Sequence, residues 1–207
     1  MYKHDKDIKS AVRTLKKGGV IVYPTDTVYG LGADATNIEG ILRLCQIKER
    51  FNKPISIAVS DLEMAERYVK FSKLAEKIFQ KFMPGAITMI LPMKKFVPQT
   101  ISMLSANTGM LGIRIPNNKI SAEIVARLDS PITTSSANPR GGISSLSVEQ
   151  AREQFVYKDP EMQPDFYLCG GTMQNGKPST LVTVVRDKIE VIRQGAVAQE
   201  EIFSLST

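Results

Sequence analysis

Four polar clusters in this 207-residue chain combine residue types that can hold or polarise an anionic substrate. The first is Pro24-Thr25-Asp26-Thr27-Val28-Tyr29-Gly30-Leu31-Gly32, with two threonines, a carboxylate and a phenol directly after an apolar run. Such a loop can offer hydroxyls and backbone N–H groups to a ligand at a strand end; the plain alternative is an Asp/Thr turn. The second is Lys48-x-Arg50, a point charge and a planar fork able to neutralise one polyphosphate. Basic residues at a helix C-terminus also meet the helix dipole favourably, with no ligand involved. The third, Gly112-Ile113-Arg114-Ile115-Pro116, sets a guanidinium inside an apolar strand. A buried charge needs a partner, so Arg114 must face a carboxylate or phosphate, either a ligand's or one of this chain's own acids. The fourth, Thr133-Thr134-Ser135-Ser136-Ala137-Asn138 with Arg140-Gly141-Gly142 behind it, can form an anion cradle, although serine-rich loops are common.

The elements that must position these clusters can be read from periodicity and caps. Ile8, Val12 and Leu15 mark one face of a helix ended by Gly18-Gly19. Val20–Tyr23 reads as a strand halted by Pro24. Asn37 caps a helix whose expected apolar side is Ile38, Ile41, Leu42 and Cys45. Strands are expected at Ile55–Val59, Ile87–Leu91 and Met110–Ile115. Helices are expected after Asp61, after Ser72 (Leu74, Ile78 and Phe82 inward) and through Ile120, Ile124, Val125 and Leu128. Pro131–Thr134 runs into a polar loop at 135–142, and Ser147 with Gln150 resembles a capping box for a helix reaching Phe155. Strands near Phe166–Leu168, Leu181–Val185 and Ile189–Ile192, with a turn at Asp187-Lys188, precede a short terminal helix. Interleaved strands and helices, with the last strands close together, predict an α/β fold with a mixed sheet.

Composition narrows the chemistry. At 43% hydrophobic and 23% charged, the chain can bury a core. Lys plus Arg exceed Asp plus Glu by 27 to 21, a formal charge of +6, which suits a phosphate-bearing ligand or RNA without requiring either. His4, the one histidine, lies in a polar N-terminal segment, so acid–base or electrostatic work falls to other groups. Cys45 and Cys169 lack metal or redox spacing and read as reduced, buried thiols. No signal-like or membrane-length apolar run occurs, which makes the cytoplasm the expected location. The G-x-G-x-x-G, P-loop and G-x-S-x-G motifs are absent, which removes the main support for Rossmann, P-loop and α/β-hydrolase readings.

Taken in order, YPTDTVYGLG at 23–32, K-x-R at 48–50, PGAITMIL at 84–91, GIRIP at 112–116, S-x-N at 136–138, PSTLV at 178–182 and Arg193 before Gly195 resemble the YrdC-like family. That family includes the threonylcarbamoyl-AMP synthases. The resemblance covers nearly the whole chain and implies one YrdC-like domain over 1–207, a twisted, mostly open mixed sheet with flanking helices and a basic concave face holding the active site. It implies a nucleotidyltransferase joining L-threonine, bicarbonate or CO2 and ATP (with Mg²⁺) into threonylcarbamoyl-AMP and pyrophosphate, for modification of an adenosine in tRNA. No tightly bound cofactor or resident metal is implied. Carried over by position, Lys48 and Arg50 become the catalytic pair gripping the phosphates. Asn52, Ser136, Asn138, Ser144 and Arg193 join them in ATP binding, while Thr25, Arg114, Thr134, Ser179 and Thr180 form the threonine pocket. Downstream threonylcarbamoyl-transfer proteins would receive the product, and tRNA or double-stranded RNA is a further candidate partner.

Some positions depart from the synthase pattern. Phe51 follows Arg50 where proline is usual, Lys53-Pro54-Ile55-Ser56 replaces an NPL-type run, and Ala86 interrupts PGP. These features are closer to the YciO branch, so an ATP-dependent activation of another carbamate or acyl group is an alternative. An RNA-binding module is a second one, although no RNP-like aromatic motif or dense basic run is present. With the chain ending soon after Arg193, the C-terminal domain of longer members is expected to be absent, along with any closing loop it supplies.

Overall fold

In a computed structural model, which describes residues 4–174 and 176–206, the capping signals resolve directly into helix starts. Helix α1 (Asp5–Lys16) buries Ile8, Ala11, Val12 and Leu15 on one side. Gly18, at φ 77°, then takes the left-handed conformation that ends it. Strand β1 (Ile21–Tyr23) is fully buried and pairs antiparallel with β2 (Gly30–Gly32), aligning Tyr23 with Gly30 and Ile21 with Gly32. This second strand falls inside the stretch expected to be loop. It forms because Gly30 and Gly32 leave room for the Tyr23 ring, which would stand only 2.9 and 2.8 Å from added Cβ atoms.

Asn37 accepts from the backbone N–H groups of Glu39 and Gly40 and starts α2 (Ile38–Lys48). The buried side of this helix differs from the expected one. Ile41, Leu44, Cys45, Ile47 and Lys48 face inward, whereas Ile38 and Leu42 are exposed. There follow β3 (Ile57–Ala58), α3 (Leu62–Glu66, capped by Asp61), α4 (Lys73–Phe82, capped by Ser72) and β4 (Ile87–Pro92). On α4, Ala75, Ile78 and Phe79 are the buried residues, and Leu74 and Phe82 pack partly against them. Helix α5 (Gln99–Leu104) was not legible in the sequence: Pro98 precedes it, and no side chain caps it.

Strand β5 (Met110–Arg114), helix α6 (Lys119–Leu128), β6 (Ile132–Thr133) and β7 (Ser135–Ser136) come next. Ser147 caps α7 (Val148–Phe155), but the Gln150 side chain returns to the N–H of Leu146 and not to that of the cap. The remaining elements are β8 (Phe166–Tyr167), β9 (Thr180–Val185), β10 (Lys188–Arg193) and α8 (Gln199–Phe203). The β9–β10 turn falls one residue earlier than expected, at Arg186 and Asp187. Both have positive φ (52° and 57°), as a type I′ hairpin requires.

The pairing is mixed, as expected, but the strands divide between two sheets. One has the order β7-β2-β1-β8 and the other β10-β9-β4-β5-β3-β6. The chain passes from the larger sheet to the smaller at Thr134, whose N–H donates to Ser56 O at 2.8 Å. Along β4, β5 and β9, alternate residues Ile87, Met89, Leu91, Leu111, Ile113, Val182 and Val184 enter the core. Residues of the opposite parity line a hollow described below. Among the described residues, no helix is long and apolar enough to cross a membrane.

Candidate active site

The hollow is a cavity of about 560 Å³ between the larger sheet, the loop after β1 and the polar run after β6. The period-two rule supplies its floor: Thr88 and Ile90 from β4, Met110, Gly112 and Arg114 from β5, and Leu181 from β9. Gly112 matters sterically here, since an added Cβ would collide with the side chain of Ser56, another wall residue. Thr25, Thr27, Val28 and Tyr29 form one wall, and Thr134, Ser135, Ser136 and Ser144 another.

Arg114 is 4% exposed, and its nearest charge is internal. Its Nη2 donates to Asp26 Oδ1 at 2.6 Å and to Gly85 O at 3.4 Å, while Nη1 donates to Thr27 Oγ1 at 3.3 Å. Its Nε is buried with no partner. The guanidinium therefore has its own acid, and three of its five N–H donors are used within the chain. Burial lowers its pKa, opposed by Asp26 and reinforced by the nearby Arg193 charge.

Lys48 and Arg50 separate in role. Lys48 continues the buried Ile41–Leu44 stripe of α2 and is 6% exposed. Its Nζ donates to the carbonyl oxygens of Ser136 (2.9 Å) and Asn138 (2.6 Å), which puts it behind the cavity wall. Burial first, and the charge of Arg50 second, bring its pKa down to about 8. Glu49, at φ 48°, ends the helix and turns the chain, so Arg50 reaches the cavity itself. Arg50 Nη2 donates to Pro54 O at 2.8 Å, and its Nε is also buried without a partner. Asn138 is buried too, its amide donating to Pro139 O and Gly142 O at 2.8 Å each. Asn52 opens instead onto an adjacent hollow of about 270 Å³ that shares Arg50 with the first.

At the far side, Ser179 lines the cavity and its hydroxyl is 2.8 Å from that of Thr88. Its neighbour Thr180 turns the other way. The Thr180 hydroxyl accepts from the N–H groups of Gly195 and Val197 at 3.0 Å each and donates to Val197 O at 2.7 Å, bracing the loop after β10. Arg193 lines the cavity and donates to Ser179 O at 2.8 Å. Thus Thr25, Arg50, Arg114, Thr134, Ser136, Ser144, Ser179 and Arg193 share one cavity. Lys48, Asn138 and Thr180 stand behind its wall, and Asn52 lies beside it.

Sequence reasoning gave Thr27 and Tyr29 only as members of the first polar cluster, with no assigned ligand, and passed over Ser56 and Thr88 as site residues. Thr88 could have been found from strand parity with Ile90. Tyr29 stands in the first motif, where its phenol donates to Gly171 O (2.7 Å) and accepts from Gly170 N (2.9 Å). Burial raises its pKa to about 12, so it stays a neutral clamp on that segment. Cys169, expected to be buried, is exposed, while Cys45 is buried.

The family model for Sua5, YciO and YrdC proteins, described as telomere recombination, matches residues 13–195. This chain belongs to the Sua5/YciO/YrdC family. A Methanocaldococcus jannaschii relative, provisionally named a threonylcarbamoyl-AMP synthase, is 33% identical over 204 residues, covering 96% of this chain and 92% of its own. The threonylcarbamoyl-AMP synthase of Pyrococcus abyssi is 28% identical across 94% of this chain, which spans 56% of that relative's length. The crystal structure of P. abyssi Sua5 with L-threonine superposes with a TM-score of 0.87 at 28% identity, covering 97% of this chain and 57% of that one. Escherichia coli YciO is similar too, with a TM-score of 0.83 at 27% identity over 95% of this chain and 93% of its own. The family's named synthases are enzymes of the nucleotidyltransferase kind, and the chain groups with them.

Proposed function

We propose that the chain is a threonylcarbamoyl-AMP synthase, acting in the cytoplasm on ATP, L-threonine and bicarbonate-derived CO2. The observation that carries this reading is the convergence of Arg50, Arg114 and Arg193 with threonine and serine hydroxyls on one cavity of about 560 Å³. A cavity of that size suits small ligands. Arg114, which lines the cavity floor, meets the amino acid's carboxylate, and Thr25, Thr134 and Ser179 are the hydroxyls within the same walls. Arg50 and Arg193, with Ser136 and Ser144, take the phosphates. Lys48 and Asn138 act from behind by fixing the run that carries Ser136.

The threonine amine, as its free base, adds to CO2 and yields a carbamate and a proton. A carbamate oxygen then bonds to the α-phosphorus. The bridging P–O bond to the β-phosphate breaks, and pyrophosphate leaves with the electron pair. Mg²⁺ enters on the triphosphate as part of the substrate. The wall offers guanidiniums and hydroxyls, a donor set that grips phosphate oxygens and leaves the ion to phosphates and water. Positioning and electrostatics carry such a reaction without a histidine. Passage of the product to a tRNA-modifying transferase belongs to the same reading.

The test is pyrophosphate release by the purified chain with ATP, Mg²⁺, bicarbonate and L-threonine, omitting each in turn. Release that needs all of them is expected; release indifferent to threonine favours the YciO-type alternative. That alternative has its own support. E. coli YciO is 30% identical over 192 residues, and the departing residues Phe51, Lys53 and Ile55 line the hollow next to Arg50.

A further inference from the structure

Ser144 reaches the cavity from a stretch with no anchor in the core. Residues 140–144 are all exposed, Ile143 at 78%, and Gly141 turns the chain at φ 77°. Among the described residues, Ser144 makes no hydrogen bond of its own. Its place is set instead from α7. The side-chain amide of Gln154 donates to Ile143 O at 3.0 Å and to Ser145 Oγ at 2.7 Å, gripping both neighbours of Ser144. Ser145 is buried, and its hydroxyl donates to Ala137 O at 3.0 Å, which joins this grip to the run carrying Ser136. One turn earlier on the same helix face, Gln150 Oε1 accepts from Leu146 N at 2.8 Å. Gln154 thus braces from α7 the wall that Lys48 braces from α2.

We propose that Gln154 is a positioning residue for the nucleotide: by fixing the residues on either side of Ser144, it holds that hydroxyl where a phosphate oxygen can meet it. The inference rests on the reading that Ser136 and Ser144 take phosphates. A hydroxyl on a well-held loop binds with no further ordering, whereas a loose one must lose backbone freedom as it binds. The role needs a donor. Ile143 O can only accept, and Ser145 Oγ has its hydrogen committed to Ala137 O. Methionine matches the length of glutamine but carries no N–H group. An ionised glutamate, close in shape, would set negative charge against the Ile143 carbonyl.

The test is a double-mutant cycle, read by calorimetric titration of ATP with Mg²⁺ and, separately, of L-threonine into the full chain. The proteins are wild type, S144A, Q154M and Q154E, and each Gln154 variant combined with S144A. S144A and either Gln154 variant should each raise the ATP Kd by about tenfold. The combined variants should be no worse than about twofold beyond the weaker single one, because both changes remove the same contact. The L-threonine Kd should move by less than about twofold throughout. Losses that multiply, an unchanged ATP Kd in a folded Gln154 variant, or equal weakening of both ligands would overturn this proposal and leave the functional reading standing. S144A binding ATP like wild type would remove Ser144 from the phosphate site and the proposal with it. Wild type binding no ATP would overturn the functional reading itself. If one Gln154 variant does not fold, the other decides; if neither folds, Gln154 is a structural residue and the proposal fails.

Discussion

Lys48 and Arg114 are both buried cations, yet the protein accommodates them differently. Arg114 is given an acid, while Lys48 is given only carbonyl oxygens, and its pKa falls to about 8. Between about pH 8 and the ordinary lysine value of 10.5, the folded chain has released a proton that the unfolded chain still binds. Stability from this group therefore rises with pH across that window. Denaturant titrations at intervals from pH 7.5 to 10 should show that rise in wild type and a flatter curve in Lys48→Met, the difference amounting to about 3 kcal/mol at most. Slackening the Ser136–Asn138 run should also cut pyrophosphate release about 10²-fold in this variant while the melt stays cooperative. That Arg114 needs an acid could be read from its apolar strand. Which acid could not, because Asp26 lies 88 residues away and meets Arg114 only when the loop after β1 folds over β5. The inward face of Lys48 was legible in principle: Ile41, Leu44 and Lys48 keep helical spacing, and the error lay in assigning Ile38 and Leu42 to that face.

At the scale of elements, three strands of alternating parity do most of the positioning. The same alternation that fills the core with Met89, Ile113 and Val182 turns Thr88, Gly112, Arg114 and Leu181 to the cavity. Gly112→Ala should lower stability by about 1–3 kcal/mol through overpacking against Ser56, and adding Ser56→Gly should recover much of the loss in a thermal melt. Thr180→Val keeps the side chain's volume but leaves the N–H groups of Gly195 and Val197 without their acceptor. A loss of about 1–3 kcal/mol in denaturant titration is expected, with L-threonine affinity in the folded protein changed far less. Strands of five or six residues such as β4, β5 and β9 were legible because their patterns are long enough to repeat. Of the two- and three-residue strands, β1, β3 and β8 were legible from their apolar runs, whereas β2, β6 and β7 were not, and so the division into two sheets was not either. The latter three pair because of what surrounds them, Tyr23 over Gly30 and Gly32 for example, and carry almost no pattern of their own.

For the whole molecule, the formal charge of +6 allows either a small polyphosphate or RNA as the main anionic partner. The two depend differently on salt. RNA held through many phosphate contacts should lose roughly 10³-fold or more in affinity between about 50 and 200 mM salt. ATP held by recessed arginines should lose far less, and parallel titrations with ATP and a tRNA transcript would separate the cases. The ordered motifs made the family legible because they span the chain from residue 23 to 195, and the family model covers nearly the same stretch. The most direct test of the account is the identity of the product. Incubating the chain with ATP, Mg²⁺, L-threonine and ¹³C-bicarbonate and resolving the adenylates by mass spectrometry should reveal a species containing AMP, threonine and one labelled carbon. An ATP-dependent product lacking either the label or the amino acid, or no adenylate at all, would contradict it.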